Sequence, residues 1–169
     1  MESRGKVFGH ALHPMLVVFP LGLLATSVVF DVIHLATGRA EWATAAYWDI
    51  AAGVIGGLLA ALPGLWDWLA LPGGTRAKMI GAWHGGGNVV VVVLFAISWL
   101  LRLGSPANPG IAPFVVSVIA VLLASVTGWL GGELVERLGV GVDPGAHLDA
   151  PSSLFGAAPE AGRSRRMPG

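Results

Sequence analysis

The sequence predicts an all-α integral membrane protein, built as a bundle of four transmembrane helices. Of its 169 residues, 54% are hydrophobic and 12% are charged, whereas a soluble domain has about 25% charged residues. Four apolar stretches are each long enough to cross a bilayer, which takes about 20 helical residues. The predicted spans lie near residues 16–35, 48–71, 80–101 and 112–135.

The first span is preceded by Arg4 and Lys6, as the apolar region of a signal peptide would be. Its apolar run is longer than such a region and contains Asp31 and His34, so we predict a membrane anchor.

The other spans carry patterns of small residues. The second contains Gly53-x-x-x-Gly57 and the fourth contains Gly128-x-x-x-Gly132, a spacing typical of close helix packing in membranes. The third opens on the segment GAWHGGGN at 81–88, where glycines surround His84. After the fourth span, residues 143–169 are rich in Pro, Gly, Ala and Ser, which predicts a disordered cytoplasmic tail.

Basic residues outside the spans predict the orientation, because they favour the cytoplasmic side. One side has only Arg39 and Arg102. The opposite side has eight basic residues: Arg4, Lys6, Arg76, Lys78, Arg137, Arg163, Arg165 and Arg166. We therefore expect a multi-pass protein of the plasma (inner) membrane with both termini in the cytoplasm.

Composition excludes several classes of function. The chain has no cysteine, which removes thiolate metal sites, iron–sulfur clusters and covalent haem attachment. Its net charge of zero gives no attraction to nucleic acid. No arrangement of nucleophile, base and acid and no phosphate loop is visible, so we predict no independent catalytic activity.

This orientation places an ionisable side chain from every span near the cytoplasmic face, and such groups within a membrane mark candidate functional sites. The four are His13, His84, Asp67 and Glu133, one from each span. His10 lies near His13 in sequence and Asn88 lies near His84. The predicted cofactor-binding residues are therefore His13, His84, His10, Asn88, Asp67 and Glu133. His13 and His84 are the candidate metal ligands.

The two halves of the chain are similar. KVFGHALHP from Lys6 matches KMIGAWHGG from Lys78, and LLAALPG from Leu58 matches LLASVTG from Leu122. Spans 1–2 and 3–4 are thus predicted to be two copies of one hairpin, related by an axis along the membrane normal. His13 and His84 would then face each other across that axis.

The segments GHALHPMLVVFPLGLL (9–24), AALPGLWDWLALP (60–72), AWHGGGN (82–88) and GWLGGELVERLGVGV (128–142) resemble the DUF2231 family of bacterial four-helix membrane proteins. The resemblance covers roughly residues 6–143. Some relatives are fused to, or encoded beside, Rieske iron–sulfur domains, which implies a link to electron transfer. Because this chain lacks cysteine, such a redox partner would be a separate polypeptide.

Four functions fit these observations. The first is a b-type haem protein for electron transfer, with His13 and His84 as axial ligands, or one of them paired with His10. Trp residues 66, 68, 83 and 129 would wall the macrocycle. The second is a non-haem metal site built from the histidines and carboxylates named above. The third is a scaffold or partner-binding module. The fourth is a transporter or proton relay with a second polar layer of Asp31, His34 and Asp49. The sequence predicts no oligomeric state.

Overall fold

The computed structural model describes residues 1–154 and confirms a bundle of four long helices. Helix α1 spans Leu12–Thr37, α2 spans Ala40–Ala70, α3 spans Arg76–Leu100 and α4 spans Ile111–Gly132, continued by a π-helical turn over Glu133–Arg137. All four are long and apolar enough to cross a membrane. Each helix begins before its predicted span, by eight residues in α2, by four in α1 and α3 and by one in α4.

A short hairpin precedes the bundle. Strands β1 (Lys6–Val7) and β2 (His10–Ala11) pair antiparallel. The two residues between them, Phe8 and Gly9, both have positive φ, at 49° and 81°, as the tight turn of a two-residue hairpin requires. After α4 and its π-helical turn, residues 143–154 form turns without helix or strand. The predicted disordered tail otherwise falls on residues 155–169, which lie outside the described residues.

The helices pack as two hairpins side by side. The most extensive contacts join α1 to α2 and α3 to α4; α2 also packs on α3, and α1 touches α4 over a smaller area. Helices α1 and α3 therefore lie diagonally across the bundle axis. We call the end where α1 and α3 begin the histidine end, and the end where they finish the arginine end.

The buried positions support the predicted repeat. Four buried residues of α1 recur in α3 or just after it, with a shift of 71 positions: Pro20, Leu24, Ser27 and Asp31 match Val91, Phe95, Ser98 and Arg102. Four buried residues of α2 recur in α4 after a shift of 67: Ala46, Ile50, Gly53 and Ala60 match Pro113, Ser117, Ala120 and Thr127. The core cluster on the axis comes from all four helices: Leu24, Ile50, Val91, Phe95 and Ala120.

The alignment predicted for the repeat does not match this register. Pairing Leu58 with Leu122 shifts α2 onto α4 by 64 positions, about one helical turn short of the shift that the buried faces require. Leucine and alanine occur on every face of these helices, so the identical residues in the two segments do not indicate which face is buried.

The two glycine patterns have different roles. A Cβ on Gly53 would lie 2.6 Å from Leu24 Cδ2, and one on Gly57 would lie 3.1 Å from Val92 Cγ2. These glycines allow the close packing predicted for them. Beside Gly128 and Gly132 the space is open, so the same prediction for the fourth helix is wrong within this chain.

Candidate functional site

The histidine end brings His13 and His84 together from opposite sides of the axis. Their ring centroids are 6.2 Å apart and their planes make an angle of 87°. His13 is the second residue of α1, and His84 is about two turns into α3. The predicted meeting of the two imidazoles across the axis is therefore present in the structure.

Each ring is fixed by the second helix of its own hairpin. Nδ1 of His13 lies 2.8 Å from the carbonyl oxygen of Ala60, and the ring lies over Gly64, where a Cβ would be 2.7 Å from Nδ1. A carbonyl oxygen only accepts, so Nδ1 carries the proton. In the neutral ring, Nε2 therefore keeps its lone pair.

His84 repeats this arrangement in the second hairpin. Its Nδ1 donates to the carbonyl oxygen of Thr127 over 2.8 Å, and a Cβ on Gly131 would lie 3.0 Å from its Cε1. In both hairpins the accepting carbonyl precedes the glycine by four residues, which is one helical turn. The two hairpins therefore share the same contacts around the histidine ring as well as the same fold.

Asn88 extends the site on one side only. Its Nδ2 lies 3.3 Å from Nε2 of His84, and its Oδ1 accepts a hydrogen bond of 2.9 Å from Thr127 Oγ1. The equivalent position in α1 is Val17, which has no polar group. Among the described residues, no hydrogen bond engages Nε2 of His13. The two imidazoles thus differ in the polar side chain that lies one turn further along their own helix.

Asp67 has a different partner. Its Oδ1 accepts a hydrogen bond of 2.6 Å from the backbone N–H of Arg4, and its Oδ2 accepts one of 2.6 Å from the hydroxyl of Ser3. This carboxylate anchors the segment before β1. Its predicted part in cofactor binding stays a prediction.

Glu133 and His10 also lie apart from the pair. Glu133 forms an ion pair with Arg76 at 2.5 Å, joining the end of α4 to the start of α3. His10 is exposed on β2, with Nδ1 3.1 Å from the carbonyl oxygen of Phe8. Of the six predicted residues, the structure joins only His13, His84 and Asn88.

The five-ligand metal site and the tryptophan wall predicted from the sequence are not assembled among the described residues. Across residues 1–154, no group of three or more His, Cys, Asp or Glu side chains could hold a metal ion, so the non-haem site of five ligands is not assembled. Trp66, Trp83 and Trp129 are all more than half exposed. They face outward, as an interfacial aromatic belt does, rather than walling the axis.

The sequence interpretation missed a buried ion pair at the arginine end. Both terminal nitrogens of Arg102 donate to the two carboxylate oxygens of Asp31 over 2.6 Å. Arg102 is completely buried, although its place just after the apolar run suggested a loop residue. The shift of 71 positions that pairs His13 with His84 also pairs Asp31 with Arg102 and is the signal that could have found it.

The ion pair separates Asp31 from the other two residues, His34 and Asp49, of the second polar layer predicted for a transporter. Asp31 is held by Arg102 and a further bond of 3.3 Å joins Arg102 to the hydroxyl of Ser98. His34 donates instead toward the carbonyl oxygen of Arg39 at 3.0 Å. Within the described part of the chain, no hydrogen bond links Asp31 to His34 or Asp49.

The fold and the site together define a multi-span membrane protein whose two equivalent hairpins place a histidine pair on their shared axis. The chain belongs to the DUF2231 family, described as predicted membrane proteins, whose match covers residues 9–144. No curated protein and no solved structure matches the chain. Residues 9–144 include all four helices and the histidine pair.

Proposed function

We propose that this protein is a b-type haem-binding subunit of a membrane electron-transfer system, with His13 and His84 as the axial ligands. The observation that carries the proposal is the distance of 6.2 Å between the two ring centroids. With metal–nitrogen bonds of about 2.0 Å, two imidazoles on opposite sides of one ion have centroids roughly 6 Å apart. The observed centroid distance matches this spacing.

The donor set favours haem over a bare metal ion. A zinc or non-haem iron site takes three or four protein ligands, and the axis offers two. A porphyrin supplies four nitrogens of its own, so two imidazoles complete the coordination of its iron. When bound, haem iron supplies one-electron redox chemistry.

The surrounding residues prepare the two rings for this role. Both Nδ1–H groups donate to backbone carbonyls, at 2.8 Å in each case. Such a bond fixes the ring orientation and the tautomer of a metal-ligating histidine and raises its basicity. Ligation through Nε2 of His84 requires the amide of Asn88 to turn away from it, because Nδ2 now lies 3.3 Å from that nitrogen.

We propose that the histidine end lies at the cytoplasmic face of the plasma membrane, because most basic residues outside the predicted spans are at this end and such residues favour the cytoplasmic side. Arg76 and Lys78 lie at this end, at the start of α3. Without cysteine, the chain has no iron–sulfur centre of its own. Electrons would be exchanged with a separate polypeptide, for which a Rieske-type protein is the candidate.

The test is the visible spectrum of the chain, expressed with ample haem and purified in mild detergent, before and after dithionite. We expect near-stoichiometric haem with a Soret band that shifts on reduction. His13→Ala and His84→Ala should lose that spectrum, and added imidazole should restore it in His84→Gly. His10→Ala and His34→Ala are matched controls, because both rings lie outside the pair and these variants should keep the spectrum.

Two results would overturn the proposal. One is a colourless wild-type protein that is folded by circular dichroism, which would favour the scaffold interpretation. The other is a wild-type spectrum retained in His84→Ala, because the paired imidazoles would then not be the ligands.

A further inference from the structure

Two neighbouring cavities open along the membrane-facing side of α3. The first, of about 620 Å³, lies between α3 and α4. The second, of about 630 Å³, lies between the end of α2 and the start of α3. Ala82 lines both, so the two cavities adjoin at this small side chain. We call them together the α3 groove.

The groove follows a single face of α3. Its lining includes Arg76, Met79, Ala82, Gly86 and Val90, which are spaced by three or four residues and so lie above one another on a helix. From Arg76 to Val90 the groove runs about 21 Å at 1.5 Å per residue. One leaflet of a bilayer, with its headgroups, is about 20–22 Å thick. The groove has the length of one lipid.

The two parts of the groove differ in chemistry along this length. The part between α3 and α4 is lined by apolar side chains and glycines, apart from the buried Thr127. The part at the histidine end contains Arg76 and Lys78. The order from cation to apolar surface is that of a phospholipid, from its phosphate to its acyl chain.

The part of the groove at the histidine end keeps a net positive charge after the ion pair between Arg76 and Glu133 is counted. Arg76 is neutralised by Glu133 at 2.5 Å. Lys78 is held by neutral partners, with Nζ 2.7 Å from the carbonyl oxygen of Trp68 and 4.0 Å from the centre of its ring. The amino-terminal N–H groups of α3 add a partial positive charge. This end of the groove therefore complements an anion.

The first hairpin has different residues at the equivalent positions. Where α3 has Gly86, Gly87 and Val90, α1 has Met15, Leu16 and Phe19. The side chains of Met15 and Phe19 are at least half exposed on the outer surface and occupy volume that the glycines leave open. The repeat thus departs from symmetry at the groove.

We propose that the α3 groove binds one anionic phospholipid, with its phosphate between Arg76 and Lys78 and one acyl chain along Ala82, Gly86 and Val90. Basic residues at the end of a transmembrane helix attract anionic lipids. The glycines let the chain lie against the helix backbone. The proposed lipid contacts do not include the imidazoles of His13 or His84.

Native mass spectrometry of the full chain in mild detergent tests this, with palmitoyl-oleoyl phosphatidylglycerol as the probe and phosphatidylcholine of the same chains as competitor. We expect one phosphatidylglycerol retained in preference. Arg76→Gln should weaken retention about fivefold, because it leaves the carboxylate of Glu133 without its counter-charge beside the phosphate and so lowers the local charge by one. Gly86→Met should weaken it by filling the groove, as Met15 does in α1.

The chain offers matched controls for both variants. A Cβ on Gly85 or on Gly86 meets open space, so both methionine variants should fold, but Gly85 does not line the groove. Arg137 is exposed at the same end and lines neither cavity. Gly85→Met and Arg137→Gln should therefore retain the lipid as the wild type does. Equal retention of the two lipids by the wild type, or an equal loss in a variant and its control, would overturn the proposal.

Discussion

The two ends of the bundle axis place equivalent residues opposite each other, but with opposite chemistry. At the arginine end the equivalent residues are Asp31 and Arg102, which neutralise each other through two hydrogen bonds of 2.6 Å. At the histidine end they are His13 and His84, two identical groups with ring centroids 6.2 Å apart. One pair is complementary and the other is not.

The two ends differ in where their polar groups find hydrogen-bond partners. The carboxylate of Asp31 and the two terminal nitrogens of Arg102 bind each other between the hairpins, and the Arg102 side chain is completely buried. Among the described residues, Nε of Arg102 has no hydrogen-bond partner. The imidazoles are instead satisfied within their own hairpins, through Nδ1 and the backbone carbonyls of Ala60 and Thr127. Their remaining nitrogens are not needed to join the hairpins. Asp31 and Arg102 thus bind each other directly across the axis, whereas among the described residues Nε2 of His13 has no hydrogen-bond partner.

Breaking the complementary pair should have the largest effect. Asp31→Asn leaves the guanidinium of Arg102 buried without its counter-charge, which typically costs about 3–5 kcal/mol. We expect a loss of that size in the free energy of unfolding, measured by circular dichroism in mixed micelles of increasing SDS content.

The control for this variant replaces both partners. Asp31→Leu with Arg102→Met removes both charges, and a buried pair exchanged for apolar residues is often neutral in stability. The double variant should therefore be markedly more stable than Asp31→Asn. A cost below about 1 kcal/mol for the single variant would mean that the pair is hydrated.

Displacing one imidazole should have an intermediate effect. In Gly64→Ala the new Cβ would lie 2.7 Å from Nδ1 of His13, and in Gly131→Ala it would lie 3.0 Å from Cε1 of His84. Overpacking of this kind costs about 1–3 kcal/mol, so the free energy of unfolding should fall in both, more for Gly64→Ala. The nearby Gly128 has open space, and Gly128→Ala should not destabilise the protein. Equal stability of all three variants would contradict the tight seating of the rings.

Removing the contact that distinguishes the two imidazoles should have the smallest effect. Thr127→Val keeps the side-chain volume and the backbone carbonyl that accepts from His84, but it removes the hydroxyl that donates to Asn88 Oδ1. One hydrogen bond contributes about 1 kcal/mol, and we expect a loss near that value in the same unfolding measurement. A loss above about 3 kcal/mol would show that the hydroxyl holds the whole site together.

Much of this architecture could be predicted from the sequence. Apolar runs interrupted by turn residues are enough to place four spans. The recurring Lys, Gly and His then predict that His13 and His84 meet. Both features depend on patterns that are local or that repeat along the chain.

What the sequence interpretation missed depends on packing between distant residues. Arg102 follows an apolar run and carries a charge, which locally indicates a loop; only Asp31, on another helix, makes its burial possible. Asp67 was grouped with the histidines because it lies at their depth, but depth does not determine which way a side chain points. In the structure it faces the backbone of Arg4.

The buried ion pair also determines which hairpins can pack together. Two copies of the first hairpin, related by the same axis, would bring together two Asp31 carboxylates in an apolar interior. Two copies of the second would bring together two Arg102 guanidinium groups. Either arrangement buries like charges, whereas the mixed arrangement neutralises them. A single aspartate and a single arginine thus favour the pairing of the first hairpin with the second over the pairing of two identical hairpins.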